Sequence, residues 1–243
     1  MYQGKIMLIT GAYRGIGKEI VNYFANLGVN MIITYHNKKN ETIKFKDELE
    51  ERYHIKVDTY YLDLSGEKTV NELYKSVNRK YQKINYLINN VAISLDNHIL
   101  DKTKNEFMKV LETNTVGTFL MMKYFDSITD GFIFNISSTD GIDTGSIYSI
   151  DYNASKAAIN SITKTFSLYS KNRIISICPN WVDTPSTKEM DNSYLESELK
   201  RINQDELINP VTIPKVIDNC IKKEIESGSI IRIDGDRDVR RVS

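Results

Sequence analysis

Two side chains in this sequence are suited by type and spacing to move a proton. Tyr152 and Lys156 stand four residues apart in Tyr152-Asn153-Ala154-Ser155-Lys156. The run Tyr152 to Tyr169 reads as helix, and positions i and i+4 of a helix share a face, so phenol and ammonium can lie side by side. A free tyrosine has a pKa of about 10 and is a poor acid or base at neutral pH. A neighbouring positive charge lowers that value, which fits the pair for general acid/base work such as carbonyl reduction or alcohol oxidation. The spacing alone is weak, because with 15 tyrosines in the chain a chance Tyr-x-x-x-Lys on a helix surface is common.

Upstream residues add weight. Thr10-Gly11-Ala12-Tyr13-Arg14-Gly15-Ile16-Gly17 follows an apolar run, Lys5 to Thr10, and precedes a helical pattern through Leu27. Glycine permits a tight turn and lets a phosphate approach the backbone. The helix that follows offers unpaired N–H groups and its positive end to a pyrophosphate. The spacing is Gly-x-x-x-Gly-x-Gly rather than the general dinucleotide fingerprint, but strand before and helix after is the context such a site requires. A second strand, Asn30 to Tyr35, ends in Thr34-Tyr35-His36-Asn37-Lys38-Lys39. It lacks the acid that would bind the ribose 2′-hydroxyl of NAD. Arg14 can grip a 2′-phosphate with its fork of donors, so NADPH is favoured over NADH. The competing reading makes Arg14 and the lysines solvated surface charges.

These residues need a scaffold. Strand patterns recur at Lys56 to Tyr61, Asn85 to Asn89, Phe132 to Ser138, Arg173 to Cys178 and Ile230 to Asp234. Helical patterns lie between them at Asn40 to Tyr53, Glu67 to Tyr81 and Ile213 to Ile225, with a long helix from the capping box Thr103-x-x-Glu106 to about Phe125. This alternation predicts an α/β fold: one doubly wound Rossmann-type domain over 1–243, with a mostly parallel sheet of about seven strands and helices on both faces. Ligands in such folds bind beyond the carboxyl ends of the strands, where Asn89-Asn90-Val91-Ala92 and Asn135-Ile136-Ser137-Ser138 fall. The polar stretch Pro185 to Asn209 is read as a mobile lid.

Composition narrows the partners. The chain has 32 basic and 32 acidic residues and no net charge, which argues against nucleic acid or an anionic membrane as partner. No signal peptide or membrane span is expected. Cys178 and Cys220 are read as free thiols in a reducing cytoplasm. The histidines His36, His54 and His98 are too scattered to suggest a metal site.

In order and position these pieces resemble the short-chain dehydrogenase/reductase family over essentially the whole chain. Thr10 to Gly17 matches the family's Thr-Gly-x-x-x-Gly-x-Gly, and Asn89-Asn90-Val91-Ala92 partly matches Asn-Asn-Ala-Gly. Asn114, Ser138, Tyr152 and Lys156 match its active-site residues. Within the family the chain is most similar to the 3-oxoacyl-[acyl-carrier-protein] reductase-like group and related NADPH-dependent carbonyl reductases. The resemblance implies that Tyr152 protonates a carbonyl oxygen as hydride arrives, that Lys156 lowers the Tyr152 pKa and bonds the nicotinamide ribose, and that Ser138 donates to the same oxygen. It implies that Asn114 holds a water linking Lys156 to solvent. Asp63 and Leu64 would flank the adenine, Asn90 its ribose, and Thr184 the carboxamide. Gly11, Tyr13, Arg14, Gly15, Ile16, Gly17, Tyr35, Pro179 and Val182, with Tyr152 and Lys156, complete the implied cofactor contacts.

The implied function is NADPH-dependent reduction of a ketone or 3-oxoacyl thioester by a homodimer or homotetramer. Two alternatives stand beside it: an NAD-dependent alcohol or sugar dehydrogenase, and a non-catalytic dinucleotide-binding sensor. Lys102, Lys104, Lys200 and Arg201 are candidates for a basic patch that would dock an acyl-carrier protein. The sequence departs from the family at Val91 and Ala92, at Asn180 after Pro179, and at Asp236 after Asp234-Gly235. Val91 is expected to crowd the cofactor turn.

Overall fold

The computed structural model describes residues 1–242. The chain runs β1 (Ile6–Ile9), α1 (Gly15–Asn26), β2 (Asn30–Tyr35), α2 (Lys39–Tyr53), β3 (Val57–Tyr61), α3 (Glu67–Tyr81), β4 (Ile84–Asn89), α4 (Lys104–Leu111), a π turn (Glu112–Val116) and α5 (Gly117–Phe125). It continues through β5 (Thr129–Ile136), α6 (Ile150–Phe166), β6 (Arg173–Pro179), α7 (Pro185–Lys188), α8 (Asn192–Arg201), α9 (Thr212–Lys222), β7 (Ile230–Ile233) and β8 (Val239–Val242).

Strand residues alternate between two cores, as a period of two dictates. Met7 and Ile9 of β1 and Met31 and Ile33 of β2 join one core with Ile20, Val21 and Phe24 of α1, Phe45 and Leu49 of α2 and Ile213 and Ile217 of α9. Leu8 and Ile32 point the other way, to Val70, Leu73 and Val77 of α3 and Met121, Met122 and Phe125 of α5. Strands buried on both faces are mostly apolar, and β1, Ile-Met-Leu-Ile, is wholly so.

Among the described residues the sheet has eight strands in the order β3-β2-β1-β4-β5-β6-β7-β8. All pairs are parallel except β7 with β8. The order reverses between β1 and β4, and their diverging ends open the crevice of the doubly wound fold. The expected strand total of about seven is one too low, because β8 is a four-residue edge strand, Val-Arg-Arg-Val, without an apolar run. The capping box at Thr103 forms, with Glu106 N donating to Thr103 Oγ1 at 3.2 Å and Thr103 N to Glu106 Oε2 at 2.8 Å. The helix it opens is not continuous: the π turn divides it into α4 and α5. α6 starts and stops slightly earlier than expected, at Ile150 and Phe166.

The amino-terminal residues are clasped to the helical layer by one carboxylate. Asp218 of α9 accepts from Tyr2 Oη at 2.5 Å, Tyr23 Oη at 2.7 Å and Lys222 Nζ at 2.7 Å. Burial acts to raise its pKa, but the bonds from Lys222, Tyr2 and Tyr23 outweigh it and hold the carboxyl below its usual range. No helix among the described residues is long and apolar enough to cross a membrane.

Candidate active site

The turn after β1 is shaped to accept an anion. Gly11 and Gly15 take φ of +69° and +57°, in the left-handed region that side chains disfavour. Gly17 is required for packing, since a Cβ there would stand 2.2 Å from Gly11 O. Arg14 is the N-cap of α1, yet no side chain caps that helix and no acid stands in its first turn. Its leading N–H groups are thus left for an outside acceptor, which fits a pyrophosphate.

Asn90 builds this turn. Its Nδ2 donates to Thr10 O at 3.0 Å and Gly11 O at 2.8 Å, while Thr10 Oγ1 accepts from Asn90 N at 2.9 Å and Val91 N at 3.1 Å. The amide expected to meet a ribose is therefore engaged in lacing β4 to the glycine turn. The Val91 branch lies against Gly11, where an added Cβ would meet it at 2.7 Å. Ile16 packs on the core below, and Tyr13 sits beneath the Arg14 guanidinium, 5.8 Å from ring centre to Cζ.

The far ends of β2 and β3 form a second wall. Tyr35 meets Tyr61 edge-on at 6.1 Å, and His36 Nε2 lies 3.8 Å from Asp63 Oδ2. Asp63 Oδ1 accepts from Ser65 N and Oγ. Those bonds, with His36 nearby, hold its carboxyl below the usual range. Leu64 turns into the core, where a Cβ on Gly117 would strike it at 2.7 Å, so its main chain alone can face an adenine. Lys38 pairs with Glu41 at 3.2 Å. Arg14 and Lys39 make no ion pair among the described residues and remain the cations nearest this wall.

The residues with proton chemistry gather beyond β5 and β6. Three adjacent hydroxyls follow β5, and their bonds tell them apart. Ser137 Oγ donates to Lys156 O at 3.0 Å. Thr139 Oγ1 is held by Thr144 Oγ1 at 2.8 Å. Ser138 Oγ accepts from Asp140 N at 3.1 Å, and its hydroxyl lies beside both Tyr152 and the Asp140 carboxyl.

Tyr152 and Lys156 do share one face of α6. Lys156 Nζ stands 5.2 Å from the centre of the Tyr152 ring and donates to Ile136 O at 2.8 Å. The lysine is 2% exposed, and burial pushes its ammonium down to about 8. The tyrosine differs from expectation. Burial of its hydroxyl, then the charge of Asp140, push its pKa up, against a smaller lowering by Ser138. In this structure the phenol is held protonated, as a proton donor must be.

Asn114 is fully buried within the π turn. Its Oδ1 accepts from Ile93 N at 2.8 Å, and its Nδ2 donates to Ile93 O at 2.9 Å and Ser155 Oγ at 3.0 Å. The side chain expected to hold a water also braces the chain after β4 against helix α6. A π turn changes the helix's hydrogen-bond spacing locally, and such turns concentrate at functional sites.

Pro179 ends β6 and is buried. Val182 is buried and bridges to Ile208. Thr184 caps α7 through a bond from Thr187 N at 3.3 Å, and its side chain stands 3.8 Å from where a Gly15 Cβ would be. The segment Pro185 to Asn209 is docked, not loose. Arg201 Nη2 donates to Thr144 O at 2.8 Å, Tyr194 meets Tyr148 edge-on at 5.9 Å, and Gln204 bonds Trp181 N and O.

Two of the four cations proposed for a carrier-protein patch are used internally. Lys102 is buried against Asp151, and Arg201 is forked onto Glu198. Sequence reasoning missed Asp140, Asp151 and His36. Asp140 stands two residues after Ser138 and Asp151 one before Tyr152, and that adjacency was the available signal.

Comparison with known proteins agrees with this geometry. The family model described as short chain dehydrogenase matches residues 5–194. The chain is 31% identical over 242 residues to the 3-oxoacyl-[acyl-carrier-protein] reductase FabG of Thermotoga maritima, covering 96% of this chain and 97% of that protein. It is 27% identical over 191 residues to an NADP-dependent mannitol dehydrogenase of Alternaria alternata, covering 75% and 72%. Among solved structures, a dehydrogenase/reductase from Sinorhizobium meliloti superposes with a TM-score of 0.88 at 20% identity, covering 97% and 96%.

Proposed function

The chain belongs to the short-chain dehydrogenase family, and from that premise we propose that it is an NADPH-dependent oxidoreductase that reduces a ketone or 3-oxoacyl thioester, with Tyr152 as general acid. The observation that carries this reading is a tyrosine kept protonated beside a serine hydroxyl and under a buried lysine.

The dinucleotide, when bound along the glycine turn, supplies the hydride. Gly11, Gly15 and the open first turn of α1 would hold its pyrophosphate, and Tyr35, Asp63 and Arg14 its adenine end. Tyr152 gives its proton to the carbonyl oxygen as negative charge grows there. Ser138 donates a second hydrogen bond to that oxygen. Lys156, fixed by Ile136 O, lies where its charge steadies the phenolate left behind. Arg14, with no carboxylate partner, supports the preference for NADPH. α8, seated over Thr144, serves as the substrate lid.

A cytoplasmic site suits the two free, buried thiols. Met108, Val116 and Phe119 are exposed along α4 and α5, and we assign this apolar stripe to the face between copies in a homodimer or homotetramer. The name of the Alternaria relative favours a second reading, in which the same groups run in reverse and oxidise a polyol.

The test is NADPH consumption by the purified protein on acetoacetyl thioesters and a panel of ketones, with NADH as control. Tyr152→Phe should lose about a thousandfold in turnover while still binding NADPH. Unchanged turnover in that variant would remove Tyr152 from the chemistry.

A further inference from the structure

Asp140 sits in the short turn Thr139–Gly141, two residues beyond Ser138. That turn lies directly against α6, since a Cβ on Gly141 would stand 2.5 Å from the Lys156 carbonyl carbon. The Asp140 N–H donates to Ser138 Oγ at 3.1 Å, and Asp140 Oδ1 accepts from Thr144 Oγ1 at 2.8 Å. The carboxyl is therefore fixed at the edge of the Ser138–Tyr152 pair. Its charge acts on both Tyr152 and Lys156.

The charges of Arg201 and Lys156 reach this carboxyl, but neither closes on it as an ion pair. The carboxyl makes no salt bridge among the described residues. Arg201, the guanidinium nearest it, gives Nε and Nη2 to Glu198 at 3.1 Å and 2.8 Å and takes Thr144 O besides. Burial pushes the Asp140 pKa up and outweighs the lowering by the Thr144 hydroxyl, the Arg201 charge and the Ser138 hydroxyl. Asp96, at the exposed rim, acts on the same phenol and also lacks an ion pair.

An alkyl chain laid against Asp140 would strip its water and return no hydrogen bond, which is costly. A substrate hydroxyl would instead donate to the carboxyl, and hydrogen bonds to a charged acceptor are the strong ones. A site built this way rejects the analogue that lacks the donor. We propose that Asp140 is the specificity-determining residue of this site and selects ketones bearing a hydroxyl group beside the reacting carbonyl, in preference to alkyl ketones or 3-oxoacyl chains. This rests on the reductase reading above and narrows it.

The test compares kcat/KM with NADPH for 1-hydroxy-2-butanone, its isostere 3-pentanone and an acetoacetyl thioester, in the wild type, Asp140→Val and Asp140→Asn. The wild type should prefer the hydroxyketone to both. In Asp140→Val the hydroxyketone to pentanone ratio should fall about tenfold or more. Any effect of Asp140 on the Tyr152 proton is shared by the two substrates and cancels in the ratio. Asp140→Asn keeps the shape and one acceptor oxygen, should give an intermediate ratio, and carries the test if the valine variant does not fold. A ratio unchanged in both variants, or a wild type that prefers the thioester, overturns the inference while leaving the reductase reading intact. A wild type that consumes NADPH with none of the three overturns both.

Discussion

Lys102 Nζ lies 3.1 Å from Asp151 Oδ2, and both side chains are buried. The lysine also donates to Leu95 O, and Asp151 Oδ1 accepts from Tyr152 N at 2.9 Å. One ion pair thus ties the segment after β4 to the first turn of α6, next to Tyr152 in the chain. Breaking a buried pair strands a charge and costs about 3–5 kcal/mol, whereas removing both charges costs far less. Lys102→Met alone should lose that amount, and Lys102→Met with Asp151→Asn should recover much of it. Urea unfolding of the wild type, both singles and the double measures the coupling. Strictly additive losses would mean that the two charges do not depend on each other.

On the proposed mechanism, Lys156 should set the alkaline limit of the reaction. Its ammonium is pushed down to about 8 by burial. In the proposed mechanism the charged form steadies the phenolate, so reduction would use the state present below that pH. The free enzyme's log kcat/KM for reduction should be level below about 8 and fall with a slope of about one above it. A profile that stays level up to the ordinary lysine range, about 10, would show that this proton is not needed or is held normally.

Asp218 makes stability depend on pH at the acid end. Its folded pKa lies below the ordinary value of 3.8. The stabilisation it supplies is therefore complete above that value and is lost as pH falls through the lower, folded one. In thermal unfolding the wild type should lose its advantage over Asp218→Asn as the pH drops below about 4. A constant difference in Tm across the acid range would place the contribution in packing, not in the carboxylate charge.

The sequence displays what is local. β1 and the glycine turn are legible because apolar run, glycines and helix start lie within one stretch, and Tyr152 and Lys156 because a single helix face joins them. Asn114 is found at its position, but its role as a brace is not, because its partners are the main chain of Ile93 and the hydroxyl of Ser155. Lys102 reads as a surface cation until the fold brings Asp151 against it. The π turn leaves no trace in composition, since Glu112 to Val116 fits a continuous helix equally well. Which of Ser137, Ser138 and Thr139 lies beside Tyr152 follows only from contacts made across the fold.

β8 limits how copies of this protein can meet. β7 is buried along its whole length, and with its outer edge bare, its N–H and C=O groups would template the strand of another molecule. β8 covers that edge and turns Arg240 and Arg241 outward, each held by acids: Asp234 and Asp238 for one, Glu226 for the other. A charged, four-residue edge strand is a poor seed for further strand addition. Strand addition at this edge of the sheet is thereby disfavoured.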